Sequence, residues 1–99
     1  MYKRQSLGGH GQAADFYRQA LEVTSEPAER AGVLERISAE LLQAGRYEEA
    51  TNRAGEARDL YAASDEAVGT ARARVLVAQG LIQTGAPADA IAELSLIHI

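Results

Sequence analysis

Cysteine and tryptophan are absent from the 99 residues, proline occurs twice, and aromatic side chains make up only 5% of the chain. Without cysteine there is no disulfide frame and no thiolate ligand for a structural zinc. Four tyrosines and one phenylalanine are too few for a platform on which bases stack. Cations are scarce as well: Lys3 is the one lysine, and ten basic residues face fourteen acids, a formal net charge of -4. That balance opposes binding to a nucleic-acid backbone. No apolar run approaches the roughly 20 residues of a membrane-spanning helix. What is present, 46% hydrophobic and 24% charged, is the composition of a globular chain with room for one domain.

The apolar positions recur at helical steps. Phe16, Tyr17, Ala20 and Leu21 form one stripe, and Ala31, Leu34, Ile37, Leu41 and Ala44 follow at intervals of three and four. Tyr47, Ala50, Ala54, Ala57, Leu60 and Tyr61 continue the pattern, as do Ala67, Ala71, Val75, Ala78 and Ile82. The spacing predicts an all-α chain of five helices, at about 12–24, 27–43, 47–62, 65–84 and 87–93. Pro27 and Pro87 suit a first helical turn, where a missing amide hydrogen has no intrahelical partner to lose. Gly45 and Gly85 suit the left-handed residue that ends a helix. Ser64 is expected to cap the fourth helix, with Asp65 and Glu66 near its N-terminal dipole. Glu26 with Arg30, and Glu49 with Arg53, are spaced for ion pairs one turn apart. Linkers this short make successive helices antiparallel.

One phrase recurs along the chain. Gly45, Glu49 and Ala50 match Gly85, Asp89 and Ala90 at an offset of 40 residues, and the run Gly8 to Ala13 supplies a weaker copy 37 residues before Gly45. A period of this size made of two antiparallel helices is the mark of a helical solenoid. Ala50, Ala54 and Ala57 form a smooth strip that lets two helices approach closely. In the central unit, Leu34, Ile37, Leu41, Gly45, Tyr47, Ala50, Ala57 and Leu60 follow the order large, large, large, turn glycine, aromatic, small, small, apolar. In these residues the chain resembles the tetratricopeptide repeat family. Ser38 stands where that family has a smaller residue, Ala54 where it has an aromatic, and Ala62 where it has a closing proline. The 40-residue spacing, longer than the common repeat of about 34, is similar to long-helix variants in the sensor regions of bacterial signalling ATPases and multidomain transcriptional activators. The resemblance implies antiparallel helix-turn-helix repeats forming a short right-handed superhelical solenoid fragment over residues 6–93.

The two ends differ from the middle, which is alanine-rich, uses arginine as its only cation and has the bias of a GC-rich, bacterial genome. The codons CTG TCT CTT ATA CAC ATC of the transposon end used in tagmentation libraries translate to Leu-Ser-Leu-Ile-His-Ile, the residues at 94–99. The complementary strand contains GTG TAT AAG AGA CAG, which with GTG as a start reads Met-Tyr-Lys-Arg-Gln, the residues at 1–5. Both ends are therefore read as adapter-derived and set aside, and the strand-like alternation of the last six residues is refused. Without Lys3 and Arg4, eight cations face fourteen acids, a charge of -6.

Candidate sites for chemistry are weak. Gly9, Gly11 and Ala14 match a dinucleotide fingerprint, but the fingerprint needs a preceding strand. His10 falls where the central unit has Tyr47, so packing is its expected role. With no cysteine and no second histidine in the middle of the chain, a metal site would rest on carboxylates alone, and Glu48 and Glu49 point to different faces. No catalytic residue, cofactor or metal is expected.

The stronger expectation is a protein-binding groove. In the family, the inner helix of each repeat lines a concave surface that holds a peptide or a partner helix. By position this implies Gly32, Glu35, Ala39, Leu42 and Gln43 from one unit and Arg72, Val75, Gln79, Ile82 and Gln83 from the next. These positions lack the lysines and asparagines that grip C-terminal carboxylates in part of the family, so recognition of such tails is not expected. Charge reversal at Glu35 and Arg72 together is expected to weaken a groove ligand. The chain is accordingly expected to be a non-catalytic interaction scaffold, a fragment of a larger cytoplasmic protein. It would contact protein or peptide partners and neighbouring repeats, not nucleic acid or membrane. The alternative is the regulatory repeat region of a signalling ATPase, cyclase or transcriptional activator, and in either case an isolated piece is expected to be marginally stable.

Overall fold

The computed structural model describes residues 8–97, with the exposure of Gly8 and the side chain of His10 outside the description. The packing role expected of His10, and the readings of residues 1–5 and 98–99, therefore lie outside the described residues. The chain is all-α: α1 spans Gly8–Glu22, α2 Pro27–Gln43, α3 Tyr47–Ala63, α4 Ala67–Gln83 and α5 Pro87–Leu94, and no strand occurs among the described residues. Each helix packs on the next, and α2 also touches α4 over a smaller area. The smallest extent of the molecule is 17 Å, the thickness of two helix layers. No helix among the described residues is long and apolar enough to cross a membrane.

Three successive turns are centred 20 residues apart, at 45, 65 and 85. Helices α2, α3 and α4 are 17 residues each, joined and followed by three-residue turns. The middle residue of every turn has positive φ: +80° at Gly45, +58° at Asp65 and +85° at Gly85. Each turn closes the same way. The amide of Arg46 donates to Leu41 O at 2.9 Å, that of Glu66 to Tyr61 O at 2.9 Å, and that of Ala86 to Leu81 O at 2.8 Å. The preceding amides of Gly45, Asp65 and Gly85 donate to the carbonyls of Leu42, Ala62 and Ile82. This double closure satisfies the last carbonyls of one helix. The third turn residue then opens the next helix, with Ala50, Thr70 and Ala90 donating to the carbonyls of Arg46, Glu66 and Ala86.

That geometry corrects several expectations. Ser64 does not cap α4; it closes α3, and Glu66 precedes α4 without a side-chain cap. The reason is that Asp65 takes the left-handed conformation that glycine takes in the other two turns, so α4 starts two residues late. Gly8 is not a turn glycine, because residues 8–11 are already helical in α1. The same helicity removes the strand-turn-helix context that a dinucleotide fingerprint at Gly9 and Gly11 requires. Arg30 does not pair with Glu26. Its Nη1 donates to the carbonyls of Leu21 at 3.1 Å and Thr24 at 2.9 Å, closing α1, whose turn has no positive-φ residue and whose C-terminal carbonyls attract a cation. Glu49 is taken by Arg18 of α1 and Arg46, leaving Arg53 to Glu56.

The core is built from small side chains. Ala31, Leu34, Ala57, Tyr61 and Ala73 form one buried cluster, and Ala14, Ile37, Leu41 and Ala50 another. Ala50, Ala54 and Ala57 are wholly buried. Ser38 is buried too, and its hydroxyl donates to Ala50 O at 2.8 Å, tying α2 to α3. Two stripes are redrawn. Phe16 is 67% exposed, while Ala14 is the buried residue among the described side chains of α1. On α4 the buried positions are Gly69, Ala73, Val77, Ala78 and Gly80, whereas Val75 and Ile82 face outward. Helix α4 is apolar on nearly every side, so its periodicity did not single out one face.

Candidate functional site

An open groove of about 950 Å³ is floored by α2. Gly32, Val33, Arg36 and Ala39 line the floor, Phe16, Tyr17 and Ala20 of α1 one wall, and Arg72, Val75, Leu76 and Gln79 of α4 the other. A smaller concavity of about 330 Å³ continues toward the C-terminal ends of α2 and α4. It adds Leu42, Gln43, Tyr47 and Gln83 and shares Ala39, Leu76 and Gln79 with the first. The groove lies where α2 and α4 touch, with Tyr61 of α3 reaching its lining.

Of the residues expected in a groove, Gly32, Glu35, Ala39, Arg72, Val75 and Gln79 line the larger concavity, and Leu42, Gln43 and Gln83 the smaller. Ile82 lines neither and is 54% exposed. Glu35 and Arg72 are not independent charges awaiting a ligand. Arg72 donates from Nε to Glu35 Oε2 at 2.8 Å and from Nη2 to Glu35 Oε1 at 3.3 Å. Tyr61 of α3 donates its hydroxyl to Glu35 Oε1 at 2.8 Å, and the Arg72 guanidinium lies over the Tyr61 ring, 5.8 Å from its centroid. Reversing both charges would keep the pair, so that substitution does not test ligand binding.

The network tunes its own members. Burial pushes the Glu35 carboxyl up, but the hydrogen bonds from Arg72 and Tyr61 and the charges of Arg72 and Arg36 outweigh it and hold the group below the ordinary carboxylate range. Tyr61 is raised by burial and by the Glu35 carboxylate beside it. Arg72 is raised by its bonds to Glu35 and Tyr61 and is always charged. None of these shifts makes a proton donor or acceptor for neutral-pH chemistry.

Sequence reasoning missed the aromatic wall. Phe16 and Tyr17 meet edge to face with centroids 5.7 Å apart, and the Arg36 guanidinium lies 5.9 Å from the Tyr17 centroid. The available signal was the position of Arg36, one helical turn after Gly32 on the same face. A second ionic cluster sits outside the groove: Arg58 and Arg74 both donate to Glu93 of α5, at 3.0 and 2.8 Å. At the C-terminal end Leu96 and Ile97 line a shallow depression with Asp65, Thr70 and Arg74. No family model, curated protein or solved structure matches the chain.

Proposed function

We propose that the chain is a tetratricopeptide-like helical repeat unit that acts as a non-catalytic scaffold, holding a peptide or helix of another protein in the groove over α2. The observation that carries this reading is the concavity lined by α1, α2, α4 and Tyr61 of α3, with Phe16, Tyr17, Ala20, Val75 and Leu76 as apolar wall residues and the small residues Gly32 and Ala39 on its floor. Small residues admit a backbone closely, and apolar walls with a few fixed polar groups are what a binding cleft needs. The turn pattern at 45, 65 and 85 supports a two-helix unit of 40 residues, and that length favours the long-helix parent type found in bacterial signalling ATPases and transcriptional activators as a second reading.

The test is nuclear magnetic resonance mapping. Peptides selected from a random library on the immobilised chain are titrated into labelled protein. Shift changes concentrated at Gly32, Ala39, Val75 and Gln79 are the expected result. Failure to select any peptide, or shifts confined to α3 and α5, would overturn the reading.

A further inference from the structure

Resting on that groove reading, we propose that its ligand is a peptide segment combining apolar side chains with an internal aspartate or glutamate, and that Arg36 reads the acid. Eight arginines lie on the described helices and turns. Arg18, Arg46, Arg53, Arg58, Arg72 and Arg74 pair with carboxylates, and Arg30 with backbone carbonyls. Arg36 alone has no hydrogen-bonded acceptor among the described residues, in a chain where acids outnumber cations. It lies in the groove over α2, and its guanidinium lies over the Tyr17 ring, 5.9 Å from the centroid.

A ring face holds a guanidinium by its charge and leaves the N–H fork unused. Arg36 is exposed to solvent, so its fork is open to a ligand, and the contact with Tyr17 restrains the side chain, which lowers the entropy lost when a ligand engages it. Glu35 of the same groove feels the charge of Arg36 but accepts its hydrogen bonds from Arg72 and Tyr61, leaving the Arg36 fork open. A carboxylate entering beside Tyr17 meets a fork suited to two parallel hydrogen bonds. Next to it Phe16, Val33, Val75 and Leu76 offer apolar contact. Glu29, two helical turns before Arg36 on the same floor, disfavours a second acid at that end. The ligand is thus apolar, singly acidic opposite Arg36, and neutral or basic toward the N-terminal end of α2.

Peptides enriched from a random library on the full chain are labelled with fluorescein and titrated by fluorescence polarisation against the parent, Arg36→Gln and Gln79→Trp, with circular dichroism melts of each variant. Each acidic peptide is also tested with its Asp or Glu changed to the amide. The expected result is acidic, apolar peptides that lose about tenfold or more in affinity with either Arg36→Gln or the amide, the two losses not adding. Peptides blocked by Gln79→Trp but indifferent to both Arg36→Gln and the amide overturn this proposal and leave the groove reading standing. Peptides indifferent to all three changes overturn both. The amide comparison needs no protein variant, so it decides the matter even where a substitution disturbs folding.

Discussion

Arg72 and Glu35 join two helices that are not consecutive, with Nε of one 2.8 Å from Oε2 of the other across the α2–α4 contact. Tyr61 completes the link from α3. Because Glu35 is held below its ordinary range when folded, its stabilising effect is present above the unfolded value of about 4.3 and is lost as pH falls through the folded value. Urea midpoints measured from pH 7 down to pH 3 should therefore drop more steeply for the parent than for Glu35→Gln. At pH 7 that variant should lose about 1 kcal/mol. Parallel pH profiles for the two proteins would show that the link contributes nothing.

Tyr61 gives the same network an alkaline arm. Its hydroxyl is raised in the folded state by burial and by Glu35, so its contribution is complete below the unfolded value of about 10 and disappears as pH rises through the folded one. Tyr61→Phe should flatten the loss of stability above pH 10 in thermal melts. It should also cost about 1 kcal/mol at neutral pH, since it removes one hydrogen bond to a carboxylate.

The four glycines within α2, α3 and α4 divide into two kinds. A methyl group at Gly80 would lie 1.9 Å from Thr51 Oγ1, and one at Gly69 would lie 2.5 Å from the Tyr61 ring. At Gly32 and Gly55 the nearest atoms are 3.5 and 3.6 Å away, ordinary contact. Alanine at Gly80 or Gly69 should destabilise by about 1–3 kcal/mol through overpacking. At Gly55 it should stabilise by about 0.5–1 kcal/mol through helix propensity alone. Thr51→Ala should rescue part of the loss in Gly80→Ala in a double-mutant cycle, because it removes the hydroxyl at 1.9 Å and keeps the Cβ at 3.1 Å. Equal effects at the four sites would contradict the close helix approach.

What the sequence reveals here depends on whether the cause is local. Pro27, Pro87, Gly45 and Gly85 mark helix ends because a missing amide hydrogen or a left-handed backbone is a property of one residue. Asp65 breaks that legibility: it takes φ +58° without being glycine, so the start of α4 is misplaced. The buried face of α4 is illegible for another reason, since alanine and valine surround the helix and only tertiary contact selects Gly69, Ala73 and Val77. The positions expected on α2 and α4 come from the resemblance, and most of them line one of two neighbouring concavities. The pairing of Glu35 with Arg72, and the wall of Phe16 and Tyr17, join residues far apart in sequence, and no spacing rule links them.

Asp65 also permits a test of the shared turn. Gly45 and Gly85 occupy the same left-handed backbone with nothing near a would-be methyl group, so alanine there should cost about 1–2 kcal/mol from conformation alone. Asp65→Gly should move the other way, by less than about 1 kcal/mol, because aspartate already tolerates the left-handed region better than most side chains. Urea denaturation of the three variants reads both signs. An unchanged midpoint for Gly45→Ala and Gly85→Ala would mean that the turns relax to another closure.

Glu93 fastens the last helix. Its side chain is 11% exposed and accepts from Arg58 of α3 and Arg74 of α4, while Ala90 is the one buried residue of α5. With so little apolar burial, the attachment of α5 depends on the two guanidinium contacts. Glu93→Gln leaves both cations facing a neutral amide and should cost about 1–3 kcal/mol. The loss should be local: amide hydrogen exchange should quicken across α5 while α2 and α3 keep their protection. Salt should reproduce part of this effect in the parent and little of it in the variant, because only the parent has the charge pairs to screen. Uniform acceleration along the whole chain would instead show that α5 opens only with the rest of the fold.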